Sequence, residues 1–227
     1  MGGATLGAHV TRGPRSVVPG SIGIFGGTFD PIHLAHLAVA EEAAEAIGLE
    51  RVLFVPAGEP PHKPGRPISA AADRLAMVEL AIAGNERFAL DRLEVERAGP
   101  SYTVETLESM RAARLAAGLT DDLFLILSAE AFLGLMTWRE PRRVVELARL
   151  VVAPRDGYPE AGPEFLAAHV PDLADRATFL DSPHIRLSGS ELRRRAADGR
   201  SLRYLVPDAV AAYIGDHALY RNQRRNP

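Results

Sequence analysis

The 227-residue sequence predicts an α/β fold, a doubly wound parallel sheet with a small helical C-terminal portion. Two observations carry this reading. Uniformly apolar runs such as Leu123-Phe124-Leu125-Ile126-Leu127 and Leu150-Val151-Val152-Ala153 suit strands buried on both faces. Segments with apolar residues at helical spacing separate those runs, the alternation expected of a parallel sheet covered by helices.

The elements follow in order. Ser21-Ile22-Gly23-Ile24-Phe25 is a short buried strand closed by Gly26-Gly27. Leu37, Ala40, Ala44 and Ile47 fall on one helical stripe, and Gly48 is a helix stop. Arg51 to Val55 is a second strand, halted by Pro56. Strand, helix and strand at this spacing make a βαβ unit. Leu75, Val78 and Ile82 mark a further helix, Phe88 to Val95 a strand, and Val104, Leu107 and Leu115 a helix starting near Thr103. Ala177 to Leu180 is a last short strand. Two helices close the chain, one from Ser188-Gly189-Ser190-Glu191 and one with Pro207 at its start, where proline is favoured. We read residues 1–20 as a flexible N-terminal extension, 21–217 as one domain and 218–227 as a basic tail, frayed from Arg221 to Pro227.

Composition narrows the function. The chain is 47% hydrophobic and 24% charged, which is ordinary for a soluble domain with its own core. A net charge of -3 argues against a general nucleic-acid coat protein. The absence of cysteine excludes disulfides and thiolate metal sites. No apolar stretch is long enough to cross a bilayer, and the first residues lack a signal-peptide core. The expectation is a cytoplasmic protein with neither nucleic acid nor membrane as partner; a homo-oligomer is left open.

In an open α/β sheet, ligands bind beyond the carboxyl ends of the strands. The turn after the first strand is Gly26-Gly27-Thr28-Phe29-Asp30-Pro31-Ile32-His33-Leu34-Ala35-His36. Its glycines clear space for a phosphate, and Thr28 adds a hydroxyl. The following helix offers free N–H groups and a positive dipole end. His33 and His36, three apart, can face one phosphate and hold the charge that grows on it during displacement. Neither the dinucleotide fingerprint nor the P-loop is present. A zinc reading of the two histidines lacks further ligands. Taken alone, the pair would also suit a glycine turn with two surface histidines.

This segment resembles the G-G-T-F-D-P-x-H-x-G-H signature of the nucleotidyltransferase superfamily, specifically the bacterial nicotinate-nucleotide adenylyltransferases, with Ala35 where glycine is usual. Leu187-Ser188-Gly189-Ser190-Glu191-Leu192-Arg193 resembles the family's I-S-S-T-x-I-R motif. Physically, Ser188 and Glu191 fit a capping box, leaving a second helix N-terminus for an anion. On its own this is a capped surface helix with a solvated arginine run; beside the first motif it becomes the other half of a triphosphate site. The resemblance implies a Rossmann-like sheet and an ATP site built from Gly26, Gly27, Thr28, Phe29, His33, His36, Glu130, Ser188, Ser190 and Arg193. His33, His36 and Arg193 are the candidate catalytic residues.

Three further segments narrow the acceptor. Pro60-Pro61-His62-Lys63 resembles the family's P-P-H-K stretch and makes Lys63 a phosphate contact, although a proline-stiffened loop would read alike. Ser101-Tyr102-Thr103-Val104-Glu105-Thr106-Leu107 resembles S-Y-T-x-D-T-L. There the backbone near Tyr102 and Thr103 would receive a carboxylate at a helix start. Trp138, the only tryptophan, would stack on a pyridine ring, or simply pack in the core. Ser128-Ala129-Glu130 departs from the family's G-A-D or G-S-D, with serine at a place of close approach and an acid one methylene longer; Glu130 is the expected ribose contact. The resemblance covers about residues 21 to 215.

The implied activity joins ATP and nicotinate mononucleotide to give nicotinate adenine dinucleotide and pyrophosphate, in NAD biosynthesis. The implied mechanism is direct in-line attack, with Mg²⁺ bridged by phosphates and no metal ligand from side chains. The alternatives are adenylylation of nicotinamide mononucleotide or pantetheine phosphate, or a nucleotide-binding module without catalysis.

Overall fold

The computed structural model describes residues 16–60, 68–119, 123–181 and 185–221. Its centre is a six-stranded, wholly parallel sheet of β1 (Val18–Gly27), β2 (Leu49–Pro56), β3 (Phe88–Leu90), β4 (Leu123–Ser128), β5 (Arg149–Ala153) and β6 (Ala177–Phe179), ordered β3-β2-β1-β4-β5-β6. The winding reverses between β1 and β4, so the crevice for a ligand opens at the carboxyl ends of those two strands. Register there is set by Ile22, Gly23 and Ile24 against Leu123, Phe124 and Leu125.

Helices cover both faces. On one side lie α1 (Leu34–Ile47) and α2 (Ala71–Ile82), whose inward residues include Ala40, Ala44, Ile47, Met77 and Val78. On the other lie α4 (Thr103–Ala116), α5 (Ala129–Leu133), α6 (Pro141–Leu147) and α7 (Glu164–His169), packed through Leu107, Phe132, Val144 and Leu166. A single turn, α3 (Leu93–Glu96), precedes α4. The C-terminal helices α8 (Gly189–Ala197) and α9 (Asp208–Asp216) join the α1–α2 layer through Leu192, Val210 and Ile214. α1 stops at Gly48, whose φ of 78° is the left-handed cap geometry that glycine adopts without strain. No helix among the described residues is long and apolar enough to cross a membrane.

The structure departs from the sequence reading at three places. The strand expected over Phe88–Val95 ends at Leu90: Asp91 makes the last ladder bond to Phe54 O at 2.9 Å, then its carboxylate accepts the Leu93 N–H at 2.8 Å and turns the chain into α3. Leu115 is 55% exposed; Met110 and Arg114 take the inward face of α4, with Arg114 reaching the Gly20 carbonyl. The capping box at α8 is half made: Ser188 Oγ accepts the Glu191 N–H at 3.2 Å, but the Glu191 carboxylate pairs with Arg194 three residues on. Two further contacts lie near the ends of the described residues. β1 begins at Val18, and Tyr220 is buried, its hydroxyl donating to Asp30 Oδ1 at 2.8 Å.

Candidate active site

Two cavities open at the carboxyl end of the sheet. The larger, about 680 Å³, is bounded by the β1 end at Gly26, by His33 and His36, by Ser128 after β4, by Pro154 and Arg155 after β5, and by Ser188 and Glu191 at the start of α8. The smaller, about 190 Å³, is bounded by Gly27 and Thr28, by Ala57 after β2, and by Ser101, Tyr102 and Thr103 at the start of α4. Gly26, Leu127 and Trp138 line both. A Cβ built on Gly26 would meet nothing within 4 Å, so this position is open because its side chain would stand in the cavity.

His33 is the N-cap of α1 and is buried, with Nδ1 enclosed and lacking a hydrogen-bond partner among the described residues. Its backbone N–H donates to Nδ1 of His36 at 3.2 Å, and the two rings stack with centroids 3.6 Å apart. Because His36 Nδ1 accepts, the neutral ring carries its proton on Nε2, a hydrogen-bond donor. Burial, assisted by the positive charge of Arg155, pushes the His33 pKa down to about 4. The unfolded chain therefore takes up a proton near the ordinary value of about 6.5 that the folded chain refuses until about pH 4, so stability falls as pH is lowered through that window. We expect a loss of up to about 3 kcal/mol across it, and none from this group above it. Denaturant midpoints measured across the window should show this slope in the wild type and a shallower one in His33→Asn; parallel slopes would contradict it.

Phe29 has its ring buried against Phe25, Phe54 and His36, so what it can offer a ligand is its backbone N–H. Arg193 does not line the larger cavity. Its guanidinium donates to the Asp30 carbonyl at 2.6 Å and to Ser190 Oγ at 3.2 Å, fastening α8 to the first loop. Gly189 permits that approach, since a Cβ there would lie 2.9 Å from Asp30 O. Ser188 lines the cavity, whereas Ser190 is exposed beside it. Ser128 caps α5 by accepting the Ala131 N–H at 3.3 Å, which accounts physically for a serine at this turn. Glu130 stands outside the cavity wall and pairs with Arg155, 3.4 Å away.

In the smaller cavity Tyr102 is the N-cap of α4, and Arg139 lies 4.8 Å from the centre of its ring. Ser101 caps nothing; its Oγ accepts the Gly58 N–H at 3.0 Å, joining the β2 loop to the α4 start. Glu94 reaches this wall from α3, and burial holds its carboxyl above the ordinary range while Thr106 Oγ1 donates to it at 2.7 Å. Lys63 falls outside the described residues.

Sequence reasoning missed Arg155 and Arg139. Arg155 was within reach of the strand-end rule, following Val151-Val152-Ala153-Pro154 directly. Arg139 carries no local signal beyond its place after Trp138. Among the described residues, no three His, Asp or Glu side chains gather as a metal site.

A parallel sheet with a glycine-and-histidine loop at its switch point defines a nucleotidyltransferase, and residues 24–195 match the cytidylyltransferase-like family. The chain belongs more narrowly to the nicotinate-nucleotide adenylyltransferases. It is 48% identical over 200 residues to the probable nicotinate-nucleotide adenylyltransferase of Thermomicrobium roseum, covering 88% of this chain and 91% of that one. To the protein of the same name from Roseiflexus sp. it is 46% identical over 200 residues, covering 88% and 98%. The fold is also that of Plasmodium falciparum nicotinic acid mononucleotide adenylyltransferase complexed with NaAD, with a TM-score of 0.72 at 17% identity over 88% of this chain and 97% of that one.

Proposed function

We propose that the larger cavity holds ATP, the smaller holds nicotinate mononucleotide, and the two substrates react across Gly26. The supporting observation is that Gly26 and Trp138 belong to both walls, so ligands filling both cavities meet at the end of β1. An oxygen of the mononucleotide's 5′-phosphate attacks the α-phosphorus of ATP. The bond to the β-phosphate oxygen breaks, pyrophosphate leaves, and nicotinate adenine dinucleotide remains, a step of NAD biosynthesis.

The attacking phosphate is already ionised, so the chain supplies no nucleophile and no general base. Its work is positioning and charge stabilisation. Neutral His36 donates from Nε2 to the growing negative charge, and His33 and Arg155 add to the same wall. Ser188 and the start of α8 hold the far phosphates, with Arg193 and Ser190 fixing that helix against Asp30. Glu130 reaches the ribose only by leaving Arg155. A divalent ion, read as Mg²⁺, would accompany ATP and supply charge neutralisation, with no side chain assigned to hold it. The imidazole and guanidinium groups of this wall bind the anion, while its carboxylates, Asp156 and Glu191, are paired with Arg186 and Arg194. We place this chemistry in the cytoplasm, on soluble substrates.

On the acceptor side, Trp138 and Tyr102 suit a flat ring better than a pantetheine chain. The start of α4 at Thr103, with Arg139 above Tyr102, suits a carboxylate. Lys63 is assigned to the mononucleotide phosphate. Pyrophosphate release from ATP, measured with each acceptor in turn, tests the assignment. Nicotinate mononucleotide should be used at least about tenfold more efficiently than its amide, equivalent to about 1.4 kcal/mol. Equal use, or a preference for the amide or for pantetheine phosphate, would overturn it.

A further inference from the structure

We propose that Arg74, which lines neither cavity, is a positioning residue that sets the ligand-facing geometry of both. It sits in α2 with 2% of its surface exposed, and its guanidinium donates to four backbone carbonyls. Nε donates to Ser69 at 3.1 Å, and Nη1 to Thr28 at 3.0 Å and Ala57 at 2.7 Å. Nη2 donates to Gly58 at 3.3 Å. The guanidinium thus clamps the loop after β1 to the loop after β2.

The consequence for ligands follows from the planar trans peptide, whose N–H points opposite to its C=O. With the Thr28 carbonyl drawn inward to Arg74, the Phe29 N–H is turned away from it. That N–H is the one group through which the buried Phe29 can serve a phosphate. On the other side, Gly58 passes the constraint on: its N–H donates to Ser101 Oγ at 3.0 Å, one residue before the start of α4 at Tyr102 and Thr103. Gly58 has no freedom to move toward α3, since a Cβ built on it would lie 2.2 Å from Glu94 O. One buried cation therefore ties the ATP loop to the pyridine wall. Only arginine presents enough donors in a rigid plane to reach four carbonyls at once; lysine keeps the charge but offers a single point.

This inference rests on the assignment of the two cavities given above. The test is Arg74→Lys in the full chain, assayed where circular dichroism shows the variant folded. The expected result is a fall in kcat on the order of 100-fold, the cost of a small misplacement, with KM for ATP rising less than about fivefold. A kcat within about threefold of wild type, or a loss no greater than the loss of folded protein, would overturn it. Should the lysine variant not fold, Ser101→Ala carries the test. It should raise KM for the mononucleotide by about tenfold and leave that for ATP within about twofold; equal changes in both, or none, would overturn it. Wild-type turnover with unaffected variants removes the role of Arg74 alone. No wild-type turnover removes that role together with the assignment beneath it.

Discussion

His36→Ala should lower kcat on the order of 100- to 1,000-fold while ATP binding weakens by less than about tenfold, the pattern of a donor used mainly in the transition state. The reasoning starts from one hydrogen bond. Because His33 N–H donates to His36 Nδ1, the His36 ring is oriented before any ligand arrives, and its remaining proton is aimed from Nε2. Stacking on His33 and edge contacts with Phe25 and Phe29 hold that orientation. A pre-aimed donor need not reorganise as charge develops, which is where catalysis of this kind gains its rate. Steady-state kinetics with calorimetry of ATP binding check it. Equal losses in turnover and binding would instead describe a nucleotide-binding module in which His36 only grips ATP.

The second large effect belongs to Gly26→Val. A Cβ here has no non-neighbouring heavy atom within 4 Å, so valine is expected to leave thermal stability within about 1 kcal/mol of wild type. The added methyl groups would occupy the space shared by both cavities. Activity should therefore fall by more than about 100-fold through loss of access for both substrates. Titration of each substrate separately checks this. A variant that still binds ATP and mononucleotide together, at wild-type strength, would contradict the placement of the reaction at the end of β1. Gly58→Ala is the contrast, because its Cβ would collide with Glu94 O and the damage would reach the fold itself.

The signature loop was legible in sequence because its chemistry is local. Glycines, a hydroxyl and two histidines three apart, placed after an apolar strand, need only the strand-end rule to become a phosphate site. The sheet was legible because strands buried on both faces cannot hide their composition. What stayed hidden depends on contacts between distant residues. Arg74 lies on a helix whose pattern marks Leu75 and Val78, and nothing nearby shows that four carbonyls from two connections converge on it. Tyr220 meets Asp30 across 190 positions, a contact that no local pattern announces. Arg193 carries a motif resemblance, but the motif does not say that its guanidinium binds the Asp30 carbonyl. Phe88–Val95 was read as too long a strand because apolar residues continue into α3, where Asp91 turns the chain.

The central claim is direct transfer between two substrates held side by side, and a single turnover tests it most directly. Enzyme in excess is mixed with ATP labelled at the α-phosphorus and with nicotinate mononucleotide, then quenched in acid. The account predicts that label appears in nicotinate adenine dinucleotide at the rate pyrophosphate is released, that none stays on the protein, and that no pyrophosphate forms without the mononucleotide. Label bound covalently to the chain, or pyrophosphate released from ATP alone, would contradict it.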